Sequence, residues 1–289
     1  MRRLKFSNTT TARMMRRIRF VLAGICIFAA PVMQSADRTI TIGLIPDGLS
    51  QEDRAPLQEY LTTAMGRPVK FETPERYADT VAHLEDGTYD FACLSAPTYI
   101  RSRAKIGVIP LVQRSSDLQF HSVFITGAAS TVHSLADLKG KRFAFGDLNS
   151  ASGHLFPYRD LVKAGVNPDT DLQAQFSGAD TVTAALVESG AVDAGALDES
   201  VLGSMISTGK ININKVRIFY TSKPFVDYVF VARKGVPESE REKFAQALLD
   251  LKEGKESAVL RVLRANKFVA ANDEEYGPTR ALIKTLNLN

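Results

Sequence analysis

The stretch RFAFGDLNSASGHLFPYRDLVKAG, from Arg142 to Gly165, decides the fold predicted for this 289-residue chain. It opens with a short apolar run, Phe143 to Phe145, that is typical of a buried strand and ends in a Gly146-Asp147 turn. Apolar residues then recur at helical spacing until Gly165, a residue that favours helix C-termini. The stretch therefore predicts a strand, a tight polar turn and a helix in immediate succession.

The turn before this helix has the composition of an anion-binding site. Ser150 is a good N-cap residue, and the small residues behind it leave the first backbone N–H groups uncovered. An anion there would meet free N–H donors, the hydroxyls of Ser150 and Ser152, and the positive end of the helix dipole. Pro157 cannot donate to the carbonyl of Gly153, so we expect the first turn to be kinked. An ordinary capped helix is the alternative interpretation.

The first 36 residues are predicted to be a secretory signal peptide. They carry seven of the 36 basic residues and none of the 32 acidic ones, and they include an apolar run of 14 residues from Phe20 to Met33. That run is short for a membrane span, and Gln34-Ser35-Ala36 suits a cleavage site. We therefore expect a periplasmic, soluble and monomeric mature chain from about Asp37. An uncleaved membrane anchor is the alternative.

Charge and cysteine content narrow the functional classes. Without the predicted signal the net charge falls from +4 to about −3, which is not basic enough to suggest nucleic-acid binding. Cys26 lies inside the apolar run behind Ile25, where a lipoprotein signal would have a small residue, so we assign it to the signal rather than to lipidation. Cys93 is then the only mature cysteine, and no internal disulfide is expected. The histidine spacings predict no metal site, and no cofactor is expected.

Strands and helices alternate at short intervals along the rest of the chain. Strands are predicted at residues 38–45, 68–71, 89–94, 108–112, 121–126, 143–145, 192–197, 216–220 and 227–232. The helical segments between several of them end at glycines. This alternation indicates parallel or mixed sheets with helices on both faces. Because the pattern occurs twice, we expect two α/β units of similar size with a cleft between them.

Four features together closely resemble the periplasmic phosphate-, phosphite- and phosphonate-binding proteins of ABC importers. They are an exported α/β chain and three blocks: LADLKGKRFAFGDLNSASGHLFPYRDL (135–161), VDAGALDES (192–200) and PFVDYVFVARKG (224–235). The resemblance runs from about Arg38 to about Leu286. Its most specific part is the Ser-x-Ser-Gly block after LKGK.

The resemblance implies a type II periplasmic binding fold, in which two α/β lobes close on the ligand like a hinged trap. The two crossover segments would fall at 125–127 and 222–227. Lobe one would comprise 37–126 and 225–289, and lobe two would comprise 127–224. The implied ligand is a small phosphorus oxyanion, and the implied partner is the membrane permease of an ABC importer.

The resemblance also implies a set of ligand-binding residues. The anion-binding run at a helix N-terminus matches Ser150, Ala151 and Ser152, where Ala151 keeps its N–H but lacks the family's hydroxyl. Two family tyrosines match Tyr77 and Tyr99. The acidic residues that bind an amine in aminoalkyl-phosphonate binders match Glu199 and Asp227. The histidine of those relatives is replaced by Ala179, which leaves the ligand undecided between a simple anion and an aminophosphonate.

Several of these residues have a second interpretation. Tyr77 shares a helical stripe with Val81 and Leu84 and could be a core residue. Asp227 could be a hydrogen-bond acceptor at the hinge. Glu199 could be a solvated charge at a helix start.

Two other functional classes fit parts of the sequence. An enzyme could use Cys93 as a cleft nucleophile, although the chain has neither a Gly-x-Ser-x-Gly motif nor a Walker motif. A periplasmic sensor would bind the same ligand and pass its closed form to a membrane sensor kinase. The sequence predicts a transport protein rather than an enzyme, and it does not separate importer from sensor.

Overall fold

The structure is a computed structural model that describes residues 38–45, 51–252, 254 and 256–287, with the backbone alone at 51–53 and 257. The predicted signal peptide and its cleavage site lie outside these residues. Every helix in the described part of the chain is too short or too polar to cross a lipid bilayer.

Eleven strands lie in the described ranges. They are β1 (Ile40–Gly43), β2 (Val69–Glu72), β3 (Phe91–Leu94), β4 (Ile109–Arg114), β5 (Ser122–Gly127), β6 (Arg142–Phe145), β7 (Gln173–Phe176), β8 (Ala194–Asp198), β9 (Val216–Thr221), β10 (Val229–Ala232) and β11 (Phe268–Ala270). The strands predicted from the sequence are all present, usually within two residues of the expected bounds. The sequence did not predict β7 or β11. All four residues of β7 are exposed, so it has no alternation of buried and exposed side chains, and β11 has only three residues.

Nine α-helices accompany these strands in the same ranges. They are α1 (Gln51–Met65), α2 (Tyr77–Glu85), α3 (Ala96–Ile106), α4 (Phe156–Lys163), α5 (Asp180–Glu188), α6 (Glu199–Ser207), α7 (Glu238–Leu249), α8 (Ser257–Val262) and α9 (Gly277–Thr285). A π-helical turn, Ala151–Leu155, directly precedes α4.

The strands form two mixed sheets, which confirms the predicted fold class of two α/β lobes. Lobe one contains the strand order β11-β4-β10-β3-β1-β2, and lobe two contains β7-β6-β8-β5-β9. Each sheet contains three strands that run parallel: β1 pairs with β2 and β3 in lobe one, and β6 pairs with β7 and β8 in lobe two. The carboxyl ends of parallel strands share one edge of a sheet, so the loops after β3, β6 and β8 lie where α/β proteins bind ligands.

The first crossover lies earlier than the sequence prediction placed it. Strand β5 (Ser122–Gly127) belongs to the sheet of lobe two, where it pairs with β8 and β9. The chain therefore leaves lobe one before residue 122 rather than at 125–127. Phe120 and Phe225 exchange two backbone hydrogen bonds, of 2.9 and 3.0 Å, so the two crossovers run side by side. The second crossover falls within the predicted 222–227, between β9 and β10.

Candidate functional site

The turn after β6 forms the predicted N-cap. The hydroxyl of Ser150 accepts the N–H of Gly153 at 2.9 Å, and the Ser150 carbonyl accepts the N–H of Leu155, five residues later, at 3.1 Å. This spacing gives a π turn, which is wider than an α turn. Because the Ser150 oxygen acts as an acceptor in the cap, its own proton remains available to a ligand.

The kink that Pro157 predicts is present in the structure as this π turn. Pro157 has no N–H to donate to the Gly153 carbonyl, and that carbonyl instead accepts the N–H of Gly146, at the end of β6, at 2.8 Å. The two backbones approach so closely that a Cβ on Gly153 would lie 3.0 Å from the Gly146 Cα. Glycine at both positions therefore lets the predicted anion-binding turn pack directly on the strand end.

Ser152 offers a buried polar atom with no protein partner. Its side chain is fully buried, and its hydroxyl has no hydrogen-bond partner in the described part of the chain. Ala151 is also fully buried, in an apolar cluster that includes residues of lobe one. The N–H groups of Ala151 and Ser152 precede the first bond within the helix, so the helix itself does not satisfy them. Together these groups are donors suited to an oxyanion.

Asp227 lies in the second crossover, just before β10 of lobe one, and is completely buried. One carboxylate oxygen accepts the N–H of Ala96 at the start of α3, at 3.0 Å, and the other has no partner in the described chain. Burial raises the pKa of Asp227 well above its usual range, and the charges of Asp117 and Asp198 act in the same direction. The unpartnered oxygen can therefore hold a proton or accept one from a ligand.

Tyr228, which the sequence did not indicate, presents a third unpartnered group. Its ring packs edge-to-face on Phe120, with centroids 5.6 Å apart, and lies 5.4 Å from the Arg114 guanidinium carbon. Its hydroxyl is buried with no partner in the described residues. Burial first, and then the charges of Tyr77 and several carboxylates, raise its pKa, so the hydroxyl stays a donor. In the sequence, Tyr228 sits inside the run DYVFVA and has the pattern of a core strand residue.

Tyr77 belongs to the same neighbourhood. It is the first residue of α2, it is 3% exposed, and it lies close enough to Tyr228 that ionisation of one phenol opposes ionisation of the other. Lobe two contributes the carboxylates of Asp180 and Asp198, whose charges also reach Tyr228. The structure thus brings Tyr77 and Asp227 together with groups of lobe two around Tyr228.

Glu199 and Ala179 lie at helix starts in lobe two. Glu199 begins α6, is partly exposed, and accepts the backbone N–H of His121 at 3.1 Å. Burial raises its pKa, while His121 opposes the shift. Ala179 is the N-cap of α5 and provides no side-chain cap. The next residue, Asp180, accepts the N–H of Asp198 at 3.3 Å. Two carboxylates therefore lie in the region where the resemblance implies a histidine.

Tyr99 makes contacts within lobe one that differ from those expected of a ligand-binding residue. Its hydroxyl donates to Asp273 at 2.5 Å, and its ring packs edge-to-face on Tyr276, so the side chain is directed to the C-terminal segment of lobe one. A tyrosine hydroxyl has one proton to donate. Because Asp273 accepts that proton, the structure argues against Tyr99 as a donor to a bound anion.

We therefore predict that Tyr99→Phe lowers stability and leaves ligand affinity within about twofold of the wild type. The lost hydrogen bond to a carboxylate should cost about 1–3 kcal/mol of unfolding free energy. The cost should not be larger, because Asp273 keeps its bond from Arg280 at 3.0 Å. Thermal denaturation and calorimetric titration measure the two quantities. Tyr77→Phe is the matched control and should weaken binding. Equal loss of affinity in both variants would show that Tyr99 contributes to ligand binding.

Cys93 is partly buried against two apolar clusters that include residues of lobe one and has the properties of a packed thiol rather than a nucleophile. Burial raises the pKa of its thiol to about 12, with the charges of Asp117 and Asp227 adding to the effect and that of Arg114 opposing it. A reactive cysteine requires a lowered pKa. Across the described ranges, no three His, Cys, Asp or Glu side chains converge on a position that could hold a metal ion.

Comparison with known proteins gives consistent matches over most of the chain. A family model described as the periplasmic substrate-binding protein of an ABC phosphonate transporter matches residues 42–276. A probable ABC transporter phosphite binding protein, PhnD1 of Prochlorococcus marinus (strain MIT 9301), is 28% identical over 279 residues. That alignment covers 90% of this chain and 94% of the relative.

Solved structures show the same similarity. PhnD1 from Prochlorococcus marinus (MIT 9301) in complex with methylphosphonate aligns with a TM-score of 0.80 at 25% identity, over 87% of this chain and 99% of that one. The binding protein component of an ABC phosphonate transporter from Pseudomonas aeruginosa gives a TM-score of 0.79 at 21% identity, over 88% of this chain and 89% of that one.

Proposed function

Because the chain belongs to the family of periplasmic substrate-binding proteins of ABC phosphonate transporters, we propose that it captures a small phosphorus oxyanion between its lobes. The lobes close on the ligand, and the closed monomer delivers it to the membrane permease of its importer. The observation that carries the proposal is that three buried groups have no hydrogen-bond partner in the described residues: the Ser152 hydroxyl, the Tyr228 hydroxyl and one oxygen of Asp227. Buried polar groups are normally hydrogen-bonded, so these three unpartnered groups are available to a polar ligand.

The roles of the individual residues follow from their hydrogen-bonding capacity. Ser150 and Ser152, with the N–H groups of Ala151 and Ser152, donate to the oxygens of the anion. Tyr77 and Tyr228 donate from lobe one. Donors that come from both lobes would reach one anion together only when the cleft is closed, which supports hinged closure.

Charge favours a ligand that shares one proton with Asp227. The buried guanidinium of Arg114 is already paired with Asp117 through bonds of 2.8 and 2.5 Å, so this pair adds no net positive charge. A dianion facing the Asp227 carboxylate would be repelled unless one proton lies between them. The protonated monoanion of phosphite, phosphate or methylphosphonate provides that proton. An aminophosphonate would instead place its ammonium group toward Asp227 and Glu199.

The relatives support a phosphorus ligand without fixing which one. The curated relative is called a phosphite binding protein, and its crystal structure contains methylphosphonate. The replacement of the family's histidine by Ala179 and the acidic neighbours Asp180 and Asp198 favour a simple oxyanion that carries its own proton.

Calorimetric titration of the mature protein with phosphate, phosphite, methylphosphonate and 2-aminoethylphosphonate tests the proposal. At least one of them should bind and raise the melting temperature by mass action. Sulfate is the matched control, because it is tetrahedral and dianionic but has no proton to share near neutral pH, and it should not bind. No binding of any phosphorus ligand at millimolar concentration would refute the proposed function. Co-purification with a sensor kinase instead of a permease would contradict the proposed partner but not the proposed ligand.

A further inference from the structure

A second set of contacts joins the lobes next to the anion-binding turn. Three residues of lobe one, Ser95, Thr98 and Arg101, all reach a single residue of lobe two, Asn149. Asn149 directly precedes the N-cap Ser150. None of these four residues belongs to the set of groups assigned to the anion.

The contacts use both polar ends of Asn149. The Ser95 and Thr98 hydroxyls donate to the Asn149 backbone carbonyl at 2.8 and 3.2 Å, which occupies both lone pairs of that oxygen. A guanidinium nitrogen of Arg101 donates to the side-chain carbonyl oxygen at 3.0 Å. All three donors must leave Asn149 if the lobes separate.

The rest of the geometry holds Asn149 in place to receive these donors. Its backbone N–H and its side-chain amide both donate to one oxygen of Asp147, at 2.7 and 3.1 Å. On the other side, Ser95 and Thr98 are buried at the start of α3, with their hydroxyls 3.2 Å apart. Asn149 is thus ordered by bonds within its own lobe and the two hydroxyls by burial within theirs, which reduces the entropy lost when they meet.

We propose that Asn149, together with Ser95, Thr98 and Arg101, is a latch that holds the lobes closed and sets the lifetime of the bound ligand. The proposal rests on the proposed function for its ligand, but it assigns residues that do not touch the anion. The latch bonds form after the ligand has entered, so they slow its release without changing how fast it arrives. The same turn carries the latch on Asn149 and the anion donors from Ser150 onward, so anion binding and closure support each other.

The test compares variants that break the latch with one that leaves it intact. Arg101→Leu removes the guanidinium, and Ser95→Ala removes one hydroxyl. The matched control is Arg103→Leu, because Arg103 lies on the same helix but contacts Asp273 and the Val108 carbonyl, both within lobe one. Stopped-flow measurements with methylphosphonate, or with whichever oxyanion the screen identifies, give association and dissociation rate constants.

We expect the dissociation rate constant to rise about tenfold or more in Arg101→Leu and about twofold to tenfold in Ser95→Ala. The association rate constant should stay within about threefold, and Arg103→Leu should match the wild type in both. Small-angle X-ray scattering at saturating ligand should show a larger radius of gyration in a double variant that combines Arg101→Leu with Ser95→Ala than in the Arg103→Leu control.

Unchanged dissociation in both latch variants, or an equal increase in the control, would overturn the latch. A loss confined to association would also overturn it. These outcomes differ from failure of the proposed function, in which the wild type itself binds no phosphorus oxyanion. In that case the scattering of ligand-free protein still tests the latch, since the double variant should be more open than the wild type.

Discussion

Ser152→Asp is expected to abolish binding of every phosphorus oxyanion. The Ser152 side chain is completely buried beside the first N–H groups of the π turn, and its hydroxyl has no partner among the residues that the structure describes. A carboxylate there would lie in the position proposed for the anion. Two like charges about 4 Å apart repel by about 4 kcal/mol at an effective dielectric constant of 20, which corresponds to roughly a thousandfold loss of affinity.

Two controls separate this repulsion from other effects. Ser152→Asn introduces a side chain of almost the same size as aspartate but without the charge. Its loss of ligand affinity should be near that of Ser152→Ala, about 5- to 150-fold. Ser239→Asp adds the same charge at an exposed position near the start of α7 and should leave affinity unchanged. Thermal denaturation without ligand identifies any variant that fails to fold. A folded Ser152→Asp protein that binds within tenfold of the wild type at pH 8 would remove Ser152 from the site.

The second large effect concerns Asp227→Asn and its dependence on pH. One oxygen of Asp227 accepts the Ala96 N–H, so an asparagine must keep its carbonyl oxygen there and turn its NH₂ toward the position of the unpartnered oxygen. The substitution therefore replaces a group that can accept a proton with one that only donates.

The sign of the pH effect follows from the shared proton. In the wild-type complex one proton lies between Asp227 and the anion, whichever of them carries it beforehand. Above the pKa values of both the free ligand and free Asp227, binding must take up that proton, so affinity should fall about tenfold per pH unit. The asparagine variant takes up no proton, so its affinity for methylphosphonate should not fall and should exceed that of the wild type at high pH.

Titrations of both proteins with methylphosphonate and 2-aminoethylphosphonate between about pH 5.5 and 8.5 distinguish the possible roles of Asp227. If Asp227 binds an amine, the variant should lose affinity for the aminophosphonate at every pH and keep it for methylphosphonate. Equal loss for both ligands at every pH would leave Asp227 as a hinge residue with no role in ligand choice.

Stability of the ligand-free protein provides an independent check on Asp227. Burial raises its pKa in the folded state, so folding favours the protonated carboxyl, and that stabilisation is lost as the pH rises through the folded pKa. Asparagine cannot ionise. The melting temperature of the wild type, relative to that of Asp227→Asn, should therefore decrease as the pH is raised from mildly acidic to alkaline.

The sequence by itself determined the local structure around the anion-binding turn. Strand β6, the Ser150 cap and the kink before α4 depend on residues within a few positions of one another, such as Pro157 and Gly153, and their signals are propensity and spacing. The alternation of strands and helices gave the α/β class for the same reason. The family motifs then indicated Ser150, Ser152 and Asp227 before any distance was known.

The tertiary structure alone decided which polar groups meet. Asp227 bonds to Ala96 across 131 residues of sequence, and the Tyr99 hydroxyl reaches Asp273 across 174. Periodicity can show that a tyrosine is buried, but not which distant element receives its proton. In the sequence Tyr99 lies near a helix start and Tyr228 near a strand start, and their patterns do not show which of them has a partner. In the structure α9 and its preceding turn pack beside Tyr99, whereas the Tyr228 hydroxyl has no partner in the described residues. The position of the first crossover was decided in the same way, because the pairing of Phe120 with Phe225 depends on two segments that are far apart in the chain and adjacent only in the fold.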